Sequence, residues 1–230
     1  MTDKDVSGKR PIVHLFRLGV DETAKERFYQ VGETNLRRSY ADELGTLAMY
    51  VARVSQEPTD NIVFEVYQDT EAYELHRQSP QYKYYVQEVA HQLTKREVYE
   101  VEALFLSEKL PAGVWLGAGH YALKSAQIDV KKGQEDAFEE SVLTNMKTSM
   151  SQEEGVLAMY ATQDKTKAGR YYFVEVYEDA LAYKRHRQTK HFATYLTATK
   201  DMLEDKQLLD LDNIVAISRG GLAFTKQSDR

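Results

Sequence analysis

The sequence predicts an α+β fold written twice: two small antiparallel sheets, each with helices on one face, packed sheet against sheet within a single chain. Three observations predict it. First, the two halves align without a gap at a constant offset of 110 residues, from about residue 12 to about residue 105. Gly45-Thr46-Leu47-Ala48-Met49-Tyr50 recurs as Gly155-Val156-Leu157-Ala158-Met159-Tyr160, Glu65-Val66-Tyr67 as Glu175-Val176-Tyr177, and His76-Arg77-Gln78 as His186-Arg187-Gln188. A period this long marks a duplicated domain rather than a short solenoid repeat, and 230 residues suit two domains of roughly 100 residues each. Second, each half reads in the order strand, helix, strand, strand, helix, strand. Third, both faces of the expected strands are bulky, with Val63 and Tyr67 on one side and Ile62, Phe64 and Val66 on the other. One layer of helices would leave a large apolar face bare, and the sheet of the other copy is the cover at hand.

Taken in order, Ile12 to Leu18 alternates as a strand does. Glu22 to Tyr40 places Ala24, Phe28 and Val31 on one helical face, with Asp21 as the expected N-cap. Gly45 closes the connection to a strand over Leu47 to Arg53. Residues 56–61 read as a turn by composition, and Ile62 to Tyr67 as the next strand. Asp69 or Thr70 caps a helix carrying Ala72, Leu75 and His76, Ser79-Pro80 breaks it or starts a new one, and a second helical piece carries Tyr82, Tyr85, Val86, Val89 and Leu93. Glu97 to Leu106 closes the half as one strand. The second half repeats the order, with Lys165 to Gly169 in place of the proline-containing turn. The expected divisions are a polar tail (1–10), a first domain (11–109), a linker (110–119), a second domain (120–225) and a short tail (226–230). The linker holds Trp115, the only tryptophan, which is expected to pack onto a domain.

Composition removes several function classes. The chain has no cysteine, which excludes disulfides, thiolate metal sites and cysteine nucleophiles and suits a reducing cytoplasm. A net charge of −6 without a basic stripe argues against a nucleic-acid partner. Neither the polar first ten residues nor any later run reads as a signal peptide or a membrane span.

Three kinds of residue recur as candidates for chemistry, and a fourth stands in one copy. His76 and His186 lie one helical turn after Ala72 and Ala182, where a histidine serves as a proton acceptor or as a satisfied structural residue. Asn35 and Asn145 extend an apolar helical face by four residues, and a buried amide there needs partners or a polar ligand, unless it merely ends the helix. Glu65 and Glu175 sit mid-strand on the same side as Tyr67 and Tyr177, where a carboxylate could orient a histidine, bind a substrate hydroxyl, form a structural ion pair or face solvent. His191 occurs only in the second copy; Gln81 stands at the equivalent place in the first. His186 and His191 are five residues apart, which on one uninterrupted helix points them to different faces, so no metal site is expected. Phosphate-loop and nucleophile-elbow motifs are absent.

With Asn35-x-x-x-Ser39-x-x-x-Glu43-x-Gly45, its copy Asn145-x-x-x-Ser149-x-x-x-Glu153-x-Gly155, the Glu-Val-Tyr strand ends followed by Asp69 or Asp179, and His76-x-x-Ser79-x-x-Tyr82 beside His186-x-x-Thr189-x-His191-Phe192, both halves resemble the antibiotic-biosynthesis monooxygenase family of dimeric α+β barrels. The second copy carries the fuller helical motif. The resemblance implies tandem ferredoxin-like domains paired through their sheets, each with a pocket between sheet and helices. It also implies a cofactor-independent monooxygenase that oxidises a phenolic or quinol-type small molecule with dioxygen. Such chemistry would use His186 as base, Asn145 and Tyr177 as pocket donors, and His76, Asn35 and Tyr67 as first-half equivalents, with Glu175, Glu65 and His191 contacting substrate and no cofactor or metal. Heme-degrading relatives share a tryptophan where Tyr67 and Tyr177 stand here, which argues against heme. Two alternatives stay open: a ligand-binding or stress-associated module without turnover, and an isomerase of a small polar metabolite, which would need cations such as Arg37 or Arg38 inside the pocket. Pairing of the halves would complete the fold in one chain, leaving further homodimerisation through edge strands or helices open.

Overall fold

A computed structural model describes residues 10–227. The first half comprises β1 (Ile12–Val20), α1 (Lys25–Asp42), β2 (Thr46–Val54), β3 (Glu57–Tyr67), α2 (Thr70–Gln78), α3 (Pro80–Val89), a 3-10 turn (Ala90–Gln92), β4 (Leu93–Tyr99) and β5 (Val101–Glu108). A short strand, β6 (Gly113–Leu116), lies inside the expected linker. The second half comprises β7 (Ala122–Val130), α4 (Glu135–Gln152), β8 (Val156–Asp164), β9 (Arg170–Tyr177), α5 (Ala180–His186), α6 (Lys190–Thr199), β10 (Leu203–Ser218) and β11 (Ala223–Thr225). The α+β architecture and the duplication are as the sequence predicts.

The closing strands trade partners. All strands among the described residues join in one sheet of order β11-β5-β8-β9-β7-β10-β2-β3-β1-β4, with β6 added on β10. Strand β5 leaves its own half to pair with β8, as Val101↔Asp164 through Glu108↔Ala158. Its counterpart β10 pairs with β7 over Leu203 to Leu211, then with β2 over Leu211 to Ser218. The stretch expected as one closing strand, Glu97 to Leu106, is thus two. It divides at Glu100 because β4 serves β1 while β5 serves the other copy.

Apolar layers follow the strand pleat. Ile62, Phe64 and Val66 face inward and meet Tyr160, Tyr172, Val174 and Val176 of the other half in a core between the two sheet faces. On the outer face Val63 and Tyr67 pack under α1 and α3 with Phe28, Val31 and Leu36. The second half repeats this with Phe173, Tyr177, Phe138, Val142 and Met146. Trp115 packs edge-on against Tyr121, 5.8 Å between ring centres, beside the inter-sheet core.

Helix ends explain the local motifs. Asp69 and Asp179 cap α2 and α5 by accepting from the amides of Ala72 (2.9 Å) and Ala182 (2.6 Å). Ser79 and Thr189 cap α3 and α6 in the same way, so the break before the last helix is made by a cap in both copies, with or without Pro80. Asp21 is not the cap expected of it: α1 begins after Ala24, and Asp21 instead accepts from the Thr23 amide and hydroxyl in an Asx-type turn. At the other end of α1, Arg219 from the far end of β10 donates to the carbonyls of Tyr40 (2.6 Å), Glu43 (2.7 Å) and Thr46 (3.1 Å). Lys109, its equivalent, donates to the Glu153 carbonyl after α4 at 2.6 Å. Each half therefore satisfies orphan carbonyls of the other half's first helix. Gly45 and Gly155 follow those ends, where an added Cβ would lie 2.5 and 2.6 Å from the Cβ atoms of Ala72 and Ala182. The recurring Gly–Ala pairs let α2 and α5 lie directly on the turn.

Candidate functional site

Each copy builds a buried histidine–glutamate pair from three elements. The cap after the first helix presents Glu43 or Glu153, and the last turn of α2 or α5 presents His76 or His186. The capped start of the next helix presents Gln81 or His191. His76 is fully buried and its Nδ1 lies 2.9 Å from Glu43. His186 is 1% exposed and its Nδ1 lies 2.9 Å from Glu153. Glu43 also accepts from Thr46 at 2.6 Å and from Gln81. In the second copy the Gln81 role passes to His191, whose Nε2 lies 2.7 Å from Glu153 and 3.1 Å from the Ser149 hydroxyl. Burial works against both carboxylates, but hydrogen bonds from the partner histidine and its neighbours prevail and hold Glu43 and Glu153 below the usual range. An ionised carboxylate fixes the proton of His186 on Nδ1 and leaves Nε2 as the free acceptor.

His186 and His191 converge, although five residues on one helix would separate them. The helix stops at His186 and restarts at Lys190, and the intervening Thr189 cap turns His191 back toward Glu153, with the two rings 6.2 Å apart. Ligand atoms of Glu153, His186 and His191 lie within 4.8 Å of one another, a spacing that a divalent cation could bridge. The hydrogen bonds to Glu153 account for the cluster on their own.

The second half opens beside this pair. A cavity of about 180 Å³ between sheet and helices is lined by His186, Asn145 and Glu175 together with apolar Val142, Met146, Phe173, Phe192 and Tyr195. Asn145 is buried and its Oδ1 has no hydrogen-bond partner. Tyr177 stands one layer back: it is fully buried, its ring lies 5.5 Å from His186, and its hydroxyl donates to Glu175 at 2.6 Å. The donor expected to face a ligand is thus engaged by the carboxylate that lines the cavity. His191 is less buried and borders a neighbouring groove that shares Asn145 and Tyr195 with the cavity.

The first half carries the same groups with bulkier neighbours. Tyr67 donates to Glu65 at 2.9 Å, and burial raises Glu65 against the pull of His76. Asn35 Oδ1 and His76 Nε2 are both buried without partners. Where the second copy has Lys124 and Ala126, the first has His14 and Phe16. His14 stacks on Tyr73 with ring centres 4.1 Å apart and lies 6.0 Å from Phe16. Burial, with help from Lys165, Arg77 and His76, lowers His14 to about 4, so it is a neutral aromatic filler near pH 7. Arg37 and Arg38 lie on the exposed side of α1, paired with Glu33 at 2.7 Å and Asp42 at 3.8 Å; Arg38 borders an open groove with Glu43 and Gln81, and neither arginine lines the second-half cavity.

Glu43 and Glu153 were not singled out as site residues from sequence, although both stand in the repeated Asn-Ser-Glu-Gly pattern. Their recurrence four residues after a recurring serine was the signal available. His14, Lys124, Phe16 and Ala126 carried no such signal, because they differ between copies.

Among the described residues no helix is long and apolar enough to cross a membrane. The family model for antibiotic biosynthesis monooxygenases matches residues 11–88 and again residues 123–198. A candidate monooxygenase from Lactobacillus acidophilus NCFM is 23% identical, with 94% of this chain and 100% of that one covered and a TM-score of 0.87. Another from Fusobacterium nucleatum subsp. nucleatum ATCC 25586 is 24% identical, covers 96% and 100%, and has a TM-score of 0.88. An anthrone oxidase-like protein shares 12% identity over 96% of this chain and 98% of its own, with a TM-score of 0.59. No curated protein matches. At these identities the solved structures speak for the fold; the double match of the family model shows that the chain is a tandem member of the antibiotic biosynthesis monooxygenase family.

Proposed function

We propose that the second half is a cofactor-independent monooxygenase site that oxidises a phenolic or quinol-type small molecule with dioxygen. The observation that carries this reading is the Glu153–His186 pair at the wall of a cavity with Phe173 and Phe192 on one side and Asn145, whose Oδ1 has no partner, also facing it. A phenol in that cavity gives its proton to His186 Nε2, and the carboxylate of Glu153 stabilises the imidazolium that forms. Asn145 holds the oxyanion through its amide N–H groups. The electron-rich anion passes an electron to dioxygen, the radical pair combines at a ring carbon, the resulting peroxide takes the proton back from His186, and loss of water, with the hydrogen of that ring carbon, leaves one oxygen atom in the product as a carbonyl. Glu175 lines the same space, and Tyr177 fixes its orientation. The first half keeps the pair but has the bulkier Phe16 and His14 where the second has Ala126 and Lys124, which favours the second half as the working site.

Oxygen uptake by metal-free protein, with naphthols and naphthoquinols as substrates, tests this reading. Uptake that depends on His186 and survives chelator treatment supports it. Tight binding without uptake would favour the ligand-binding alternative.

A further inference from the structure

The two copies differ in charge around the cavity. In the first half Arg77 donates to Glu74 at 3.3 Å, an ordinary helix-surface pair. The equivalent of Glu74 is Lys184, so Arg187, the equivalent of Arg77, has lost its carboxylate. Among the described residues neither Arg187 nor Lys206 enters an ion pair, although both border the cavity. Lys124 on the same border is matched by Asp210. Burial lowers Lys206, Glu175 opposes that shift and Arg187 reinforces it, so the three charges are felt around one space. Arg187 and Lys206 are exposed, which places them at the rim, while Val142, Met146, Phe173 and Phe192 line the interior beside His186, Asn145 and Glu175. The volume sets a size limit as well. A dry cavity of about 150 Å³ holds benzene, and this one, at about 180 Å³, is only slightly larger.

We propose that the cavity takes a one- or two-ring phenol or quinol that carries an anionic substituent, with the ring inside against Phe173 and Phe192 and the anion at the rim on Arg187 and Lys206. This rests on the reading of the cavity as a phenol-oxidising site and adds the size and charge of the substrate. Arginine favours a planar oxyanion that can accept two parallel hydrogen bonds. The faces of Phe173 and Phe192 favour an aromatic ring over a sugar-like body, which has no flat apolar surface to lay against them.

Calorimetric binding to the full chain separates the elements of the proposal. The probes are 1-hydroxy-2-naphthoate, 1-naphthol, naphthyl phosphate, anthracene-2-carboxylate and ribose 5-phosphate. Hydroxynaphthoate is expected to bind at least 10-fold more tightly than naphthol, and more tightly than the three-ring carboxylate. Raising the salt concentration should narrow the preference over naphthol. The Arg187→Gln/Lys206→Gln variant, altered only at exposed positions, should bring that preference close to one, with circular dichroism confirming the fold. If naphthyl phosphate matches hydroxynaphthoate, the rim reads anionic charge; if it does not, the rim reads the carboxylate. The proposal is overturned if naphthol or the three-ring acid binds as well as hydroxynaphthoate, if ribose 5-phosphate binds better, if no probe binds, or if the double variant keeps the preference. Selective binding with no oxygen uptake from the corresponding hydroquinone carboxylate would leave this inference standing and remove the oxygenase reading.

Discussion

The hydroxyls of Tyr50 and Tyr160 meet 2.8 Å apart between the two sheet faces. They are equivalent positions of the duplication, so the contact lies where the two copies face each other. Tyr160 also donates to Glu108, and the Ser218 hydroxyl donates to the same carboxyl group at 2.7 Å. With its single proton given to Glu108, Tyr160 must accept from Tyr50. Glu108 and Ser218 are themselves equivalents, so the chain places one carboxyl where symmetry would place two. A second buried carboxyl would add like-charge repulsion to desolvation, and joining the halves in one chain allows the two positions to differ.

A pH dependence of stability follows. Burial raises Glu108 above the usual carboxylate range, against hydrogen bonds from Tyr160, Ser218 and the Leu222 backbone. A raised folded value means that the folded state keeps a proton the unfolded state releases. This contribution is complete below the unfolded carboxylate value and is lost as pH rises through the folded one. Glu108→Gln, which keeps an acceptor without the charge, should therefore flatten the fall in Tm between mildly acidic and neutral pH, as measured by calorimetry. Ser218→Glu should destabilise by on the order of 3 kcal/mol at neutral pH.

The cavity is expected to depend on Ala126. Ala126→Phe copies Phe16 into the second half and should abolish ligand binding while costing about 1–3 kcal/mol from overpacking. Denaturant unfolding and calorimetric titration check the two effects separately. The reciprocal Phe16→Ala should cost roughly 3–5 kcal/mol if that ring fills the first-half space.

Glu153 is expected to act through His186. Glu153→Gln leaves the shape but removes the charge that stabilises the imidazolium. Activity should fall roughly 10-fold to 100-fold, as for loss of groups that orient a catalytic histidine, with KM changed little. Steady-state kinetics check both.

Much of the fold was legible because duplication writes it twice. The constant offset gave the two domains, and the pleat of Ile62 to Tyr67 gave both the helix side and the inter-sheet side. The exchange of β5 and β10 was not legible. Glu97 to Leu106 has the same strand character whichever sheet it serves, and pairing partners are set by tertiary packing. At the site, the repeated Asn, His, Glu and Tyr positions were visible and do cluster. The convergence of His186 and His191 was hidden because the cap at Thr189 interrupts the helix on which the spacing argument relied. The cavity of the second half was hidden too: the differences beside it, Ala126 for Phe16 and Lys124 for His14, are small ones in a region read for its likeness.

Oxygen consumption by metal-free protein, compared for the unaltered chain, His76→Ala, His186→Ala and the double variant, tests the central claim most directly. The expected result is chelator-insensitive turnover of a phenol or quinol that falls roughly 10²-fold or more in His186→Ala. His76→Ala should change it far less, and all variants should remain folded. Turnover lost on chelation, or unchanged in the double variant, would contradict the account.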